Sequence, residues 1–177
     1  MPARYSPDTI GFLITDTARL LRAEFDRRTD AAGLGLTPAE ARTLSHVARV
    51  GPVRQAALAE RMGIEAMTLS ACLDRLEAQG YVQREADPSD RRAKLVDTTE
   101  AAGPALDQIF AVSAVMRADM TEGLDAGKVE ELRQMLIAIR RRLVAMRPDC
   151  ARGSAPGSAQ GSPQGSSRGN VQESVAR

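Results

Sequence analysis

Bond-making chemistry finds few residues to work with in this chain. One histidine, His46, and two distant cysteines, Cys72 and Cys150, supply neither a nucleophile with its base nor a ligand set for a borderline metal. No glycine-rich phosphate loop and no clustered carboxylate pair accompanies them. The residues predict no enzyme, no metal and no cofactor. What the chain does space suggestively is side chains for holding an anionic polymer. Arg91, Arg92 and Lys94 follow the turn-forming run Asp87-Pro88-Ser89-Asp90, and arginine suits a narrow, electronegative groove. Asp90 would hold Arg92 extended. Upstream, Glu65, Ala66, Thr68, Ser70 and Ala71 make a face of polar or nearly bare side chains that can approach base edges closely. Gln55, Arg75 and Arg84 lie where phosphates would be within reach. Arg75 has a second reading of equal standing, as a structural partner of Asp74 or Glu77.

These residues need elements to position them. From Leu58 to Leu76 the apolar positions fit two crossing helices and a tight turn: Leu58, Ala59 and Met62 on the first helix, Gly63 at a left-handed exit, Ile64 in the corner, then Leu69, Leu73 and Leu76. That is a helix-turn-helix pattern whose second helix would enter a DNA groove. After Gly80, a natural helix end, the period becomes two-fold, and residues 81–85 and 94–98 read as the strands of a hairpin, a wing with arginines at its tip. Ahead of the motif, Asp8 to Thr29 reads as an amphipathic helix that Gly33 and Gly35 break, and Thr37-Pro38 opens a second helix that Gly51-Pro52 ends. The first helix of the pair then starts at about Arg54.

Behind the wing, a long helix from Thr99-Glu100 runs to about Met120. A final helix carries Val129, Leu132, Leu136, Ile139, Leu143 and Met146 at alternating threes and fours, a coiled-coil-like seam. Together with Leu106, Ile109, Phe110 and Met116 and the stripe on the first helix, it offers more apolar surface than one small lobe needs. Self-association is the natural outlet, and two-fold symmetry would let two recognition helices read successive major grooves. From about Pro148 the composition turns to Gly, Ser, Pro, Gln and Ala, predicting a disordered tail in which Arg152 and Arg168 have no clear role.

Bulk charge says little: 24 Lys+Arg against 23 Asp+Glu leave +1, so any affinity for DNA must come from where the charges lie. Arg54, Arg75, Arg84, Arg91, Arg92 and Lys94 cluster about the motif, whereas Glu24, Asp26, Glu130 and Glu131 lie in the outer helices. With no long apolar run and no signal peptide, the expectation is a cytoplasmic protein without a membrane association. Two cysteines do not make a secreted disulfide framework.

Residues 6–147 resemble the MarR family of transcriptional regulators, most closely its SlyA-like branch, through GIEAMTL, LDRLEAQGYV, DPSDRRAKLV and TEAAGPAL. The resemblance implies a mainly α fold with a small β-hairpin wing: an N-terminal dimerisation helix (1–35), a winged helix-turn-helix lobe (36–99), C-terminal dimerisation helices (100–147) and the tail (148–177). It implies a homodimeric repressor or derepressor bound to double-stranded DNA at a pseudopalindromic, inverted-repeat operator and modulated by a small aromatic or phenolic effector. Family base contacts map onto Glu65, Ala66, Met67, Thr68, Ser70 and Ala71. Many SlyA-like proteins carry arginine where this chain has Ala71, which can touch a thymine methyl but cannot grip a guanine. The effector pocket would involve Arg19, Arg22, Thr37, Ala41, Ser45 and His46, although His46 also reads as a packing residue, and the chain is only 3 % aromatic. Two alternatives stay open: a redox regulator acting through Cys72, which otherwise reads as a packing thiol remote from cations, and an adaptor that uses the winged fold without specific DNA binding.

Overall fold

The computed structural model describes residues 8–146; the 148–177 segment, with Cys150, Arg152 and Arg168, lies outside the described residues. The order of elements is α1 (Ile10–Ala31), α2 (Pro38–Val50), β1 (Val53–Arg54), α3 (Gln55–Met62), α4 (Ala66–Ala78), β2 (Val82–Asp87), β3 (Asp90–Thr98), a 3-10 turn (Glu100–Ala102), α5 (Gly103–Met120) and α6 (Ala126–Ala145). The class is the expected one, mainly α with a small antiparallel sheet. No described helix is long and apolar enough to cross a membrane. The chain divides into two compact units, residues 1–123 and 124–177.

In the first unit the apolar spacing of the motif becomes a core. Leu44 and Val47 of α2, Leu58 of α3, Leu69, Leu73 and Leu76 of α4, Val96 of β3 and Ile109 of α5 have no exposed surface. Each such aliphatic contributes about 1.5–3 kcal/mol by leaving water. The sequence assigns Leu106, Ile109 and Phe110 to an association surface. Instead, Ile109 is spent inside this core with Leu106 packed against it, and the Phe110 ring lies 4.8 Å beneath the Arg49 guanidinium. The physical reason is that α5 covers the side of α2 that the helix-turn-helix leaves open.

Local chemistry sets the element ends. Thr37 and Glu40 form a reciprocal capping box at the start of α2: the Thr37 N–H donates to Glu40 Oε2 at 2.8 Å, and Thr37 Oγ1 accepts from the Glu40 N–H at 3.3 Å. Gly63 ends α3 at φ 63°, a left-handed conformation that costs other residues roughly 1 kcal/mol or more. Ile64 then donates its N–H to the Ala59 carbonyl at 3.1 Å and packs against the core. At Gly51 the constraint is space: a Cβ would lie 2.7 Å from an Asp97 carboxylate oxygen and 2.9 Å from the Val47 carbonyl oxygen.

The sheet has the order β1-β3-β2. Its hairpin extends further than the 81–85 and 94–98 expected, because pairing continues through a bulge at Ala86/Asp87 to an Asp87–Asp90 pair. Only Pro88-Ser89 remain as the turn. Arg91 and Arg92 therefore belong to a strand rather than a loop. The third strand, Val53–Arg54, pairs with Leu95 and Val96 and ties the start of α3 to the wing.

In the second unit, Asp125 caps α6 by accepting the Lys128 N–H at 3.0 Å. No residue of α6 is buried. Leu132, Leu136 and Leu143 of the seam are 50 %, 43 % and 58 % exposed.

Candidate nucleic-acid interface

Two faces of α4 divide the work. The inner one, Leu69, Cys72, Leu73 and Leu76, is buried. The outer one carries Ala66, Thr68 and Ala71, all exposed, and Met67 at 86 % exposure, with Ser70 half-buried and Glu65 exposed at the N-cap position. No outer side chain of this first stretch contributes to the core. A helix whose outward first turns are short can lie deep in a groove. Gln55 is half-buried at the first position of α3.

Arg75 continues the outer face one turn on from Ala71, at the i+4 position. Neither Asp74 nor Glu77 is its partner. It donates through Nε to Glu40 Oε1, across to α2. The Glu40 carboxylate thus accepts from two groups, the Thr37 N–H and the Arg75 guanidinium, while its backbone N–H donates to the Thr37 hydroxyl and the residue is only 3 % exposed. Burial alone would raise its pKa, but the bonds from Arg75 and Thr37 outweigh that and hold the carboxyl below its ordinary value. Because Arg75 also comes within 3.7 Å of the Cys72 sulfur, the expectation that this thiol is remote from cations is corrected; it remains 2 % exposed.

Asp74 and Glu77 instead hold Arg84 of β2. Arg84 Nη2 is 2.7 Å from Asp74 Oδ1, its Nε is 3.0 Å from Glu77 Oε2, and its side chain is 13 % exposed. Here the guanidinium is a tie between wing and recognition helix, turned toward two carboxylates rather than outward to a phosphate. A comparable tie anchors the tip. Asp87, 6 % exposed, accepts from the Ser89 hydroxyl (2.7 Å), the Ser89 N–H (2.8 Å) and Arg54 Nε (2.6 Å). The two Ser89 bonds, then Arg54, draw its pKa down to about 2. Arg54, which the sequence groups with the DNA-facing cations, is thereby a wing anchor, since pairing of β1 with β3 carries it to Asp87.

That leaves Arg92 and Lys94 as exposed wing cations outside the ion pairs formed among the described residues, with Lys94 in the field of Glu77. Asp90 does hold Arg92, but by accepting its backbone N–H at 3.1 Å rather than by gripping the guanidinium. The Arg91 side chain lies outside what the structure describes.

A second candidate site is a cleft between α1, α2 and α5, about 300 Å³ in volume. Three of the sequence's effector residues meet there, Arg22, Ser45 and His46, joined by Arg42, Arg49, Arg117, Phe25 and Met116, which sequence reasoning missed. Three others do not meet there: Arg19 pairs with Asp16 at 2.7 Å on the exposed side of α1, Thr37 is the cap of α2, and Ala41 is fully buried in the core. Burial, and then the fields of Arg49, Arg61, Arg22 and Arg42, push the His46 pKa below its ordinary value. Arg49 is held by Ser45, through its hydroxyl (2.8 Å) and carbonyl (3.0 Å). Among the described residues no group of three or more His, Cys, Asp or Glu is arranged to hold a metal.

Comparison with known proteins bears on this geometry. A model of the MarR family matches residues 34–93, the lobe from the start of α2 to β3. The solved transcriptional regulator PA3341 is 38 % identical, with 76 % of this chain and 98 % of that one covered and a TM-score of 0.64. Two others share the fold at lower identity: the transcriptional regulator SlyA (22 %, 73 % and 90 % covered, TM-score 0.58) and CouR from Rhodococcus jostii RHA1 bound to p-coumaroyl-CoA (23 %, 77 % and 95 %, TM-score 0.61). With the winged helix-turn-helix built as described and a 38 % identical regulator matched over nearly its whole length, the chain belongs to the MarR family of winged-helix transcriptional regulators.

Proposed function

We propose that the protein is a homodimeric repressor, or derepressor, that binds an inverted-repeat operator. The outer face of α4, Glu65 to Ala71, enters the major groove, and Arg92 and Lys94 of the wing reach the adjacent minor groove. The observation that carries this reading is the outer face of α4 itself: a helix whose exposed outer side chains have no core role, on the same lobe as two exposed wing cations. Arg54 and Arg84 position the wing, and Gln55 and Arg75 stand nearest to a phosphate-contacting role. Dimerisation is supported by exposed apolar residues on α1, such as Ile10 (71 %) and Phe12 (56 %), and by the seam on α6.

An effector small enough for the α1/α2/α5 cleft would modulate binding, with Arg22, Ser45 and His46 as contacts. That CouR was solved with p-coumaroyl-CoA supports a small-molecule role in this fold, and the resemblance of the sequence points to an aromatic or phenolic acid.

Selection of bound sequences from a random DNA pool, with and without candidate phenolic acids, tests operator and effector together; the expected product is an enriched inverted repeat. Arg92→Ala should weaken binding to that site by about 1–3 kcal/mol per contact while the dimer persists by size-exclusion chromatography. Specific binding should also fall steeply as salt rises. A protein that enriches no repeat, and whose partners bind equally well at every salt concentration, would be an adaptor.

A further inference from the structure

The lining of the α1/α2/α5 cleft is unbalanced in charge. Arg22, Arg42, Arg49 and Arg117 line it, and among the described residues no carboxylate does. Arg42 is answered by Asp26. Arg22, Arg49 and Arg117 have no carboxylate partner among the described residues. The nearby acids are engaged elsewhere: Glu24 with Arg27 and Arg28, Asp119 with Arg28. Like charges crowd one another in this cleft: partial desolvation and then the field of Arg117 push the Arg49 pKa below its ordinary value. Arg22, Arg49 and Arg117 are all exposed, so water tolerates the cluster, but a concave surface lined by one sign of charge concentrates anions and offers them paired guanidinium donors. A single carboxylate answers one of the three guanidinium groups.

We propose that the effector carries two negative charges at one end, as a dicarboxylate or a phosphate monoester does, and that Arg22, Arg49 and Arg117 grip that end while Phe25 and Met116 receive an apolar remainder. This deepens the reading of the cleft as the effector site and rests on it. The volume, about 300 Å³, lies at the small end of ligand pockets and suits a single ring or a short chain. With Phe25 the one Phe, Tyr or Trp in the lining among the described residues, charge rather than ring stacking decides which molecules bind. Burial first, and then the fields of Arg49 and Arg42 on α2, Arg61 on α3 and Arg22 on α1, disfavour the protonated form of His46, which becomes easier to protonate once a dianion offsets those cations. Binding is therefore accompanied by proton uptake.

Isothermal titration of the full chain at constant ionic strength with phthalate, phenyl phosphate, benzoate and benzamide tests this. Phthalate or phenyl phosphate should bind about tenfold or more tightly than benzoate, benzamide should be weakest, and buffers of different ionisation enthalpy should report proton uptake with the dianion. The two dianions distinguish dicarboxylate from phosphate ester. Arg117→Gln should bring dianion and monoanion affinities together without shifting Tm by more than the wild-type scatter; if that variant is unstable, Arg22→Gln on the exposed rim of α1 serves instead. Benzoate binding as tightly as either dianion overturns the charge assignment and leaves the effector site standing. Dianion binding that neither variant alters places the ligand elsewhere and overturns both. Absence of dianion binding at millimolar concentration overturns the proposal.

Discussion

Glu40 offers the sharpest test of how the recognition helix is held. Its carboxylate accepts the Thr37 N–H at the start of α2 and the Arg75 Nε from α4, and only 3 % of the residue is exposed. Glu40→Ala removes half of the capping box, a loss of about 1 kcal/mol. The half-exposed Arg75 guanidinium can turn into solvent, so its side of the pair is left out of that sum. For a domain of this size the cap alone lowers Tm by about 2–4 °C. Glu40→Gln keeps an amide oxygen for Thr37 and gives up the charge, so it should sit closer to wild type in Tm. Both variants free Arg75 on the outer face of α4. A dimer would gain two uncompensated cations there, and the dependence of log affinity on log salt should steepen by about 2. Nonspecific DNA then gains more than the operator does, and the ratio between them falls. Fluorescence anisotropy with operator and scrambled duplexes across a salt series reads both quantities. If Glu40→Gln leaves slope and ratio at the wild-type values, Arg75 is not held by Glu40 in the way the structure shows.

Asp87→Asn should loosen the wing tip by weakening the Arg54 and Ser89 bonds, reducing operator affinity more than Tm; equal losses in both would show that Asp87 serves the fold and not the wing. Because the folded-state pKa of Asp87 is drawn from 3.8 to about 2, its contribution to stability is complete above pH 3.8 and is lost as pH falls toward 2, a loss that the Asn variant should lack in acid titrations followed by circular dichroism. His46 has a lowered pKa in the folded protein, so the unfolded chain binds the extra proton first. Stability should therefore decline as pH drops below 6.5 toward the folded value, and His46→Gln should flatten that part of the profile; an unchanged profile would assign the slope to other groups.

Local periodicity made most of the fold legible. The spacing of Leu58, Gly63, Leu69, Leu73 and Leu76 gives α3, the turn and α4, and Thr37-Pro38 marks the start of α2 to the residue. What escaped were features made by distant partners. Val53–Arg54 is too short to have a period of its own and is a strand only because Leu95 and Val96 lie beside it. Arg75 has acids adjacent in sequence, yet α4 presents it to Glu40, 35 residues upstream, while those acids face β2 and take Arg84. The cleft suffered likewise: Arg22, Ser45 and His46 were legible, whereas Arg49 and Arg117 meet only because α5 packs across α2. Ala41 shows the converse, a residue whose position on the helix fits a pocket but whose side chain the core takes.

The division of α4 into an inner and an outer face has an evolutionary consequence. Leu69, Cys72, Leu73 and Leu76 bury that helix, and Asp74, Arg75 and Glu77 tie it to β2 and α2, so Ala66, Met67, Thr68 and Ala71 are released from any duty to folding. Substitutions there are close to neutral for stability, and a duplicated copy of this gene could drift to a new operator without passing through an unstable intermediate. The same freedom makes those four positions a compact library for laboratory selection of regulators that ignore one another's sites.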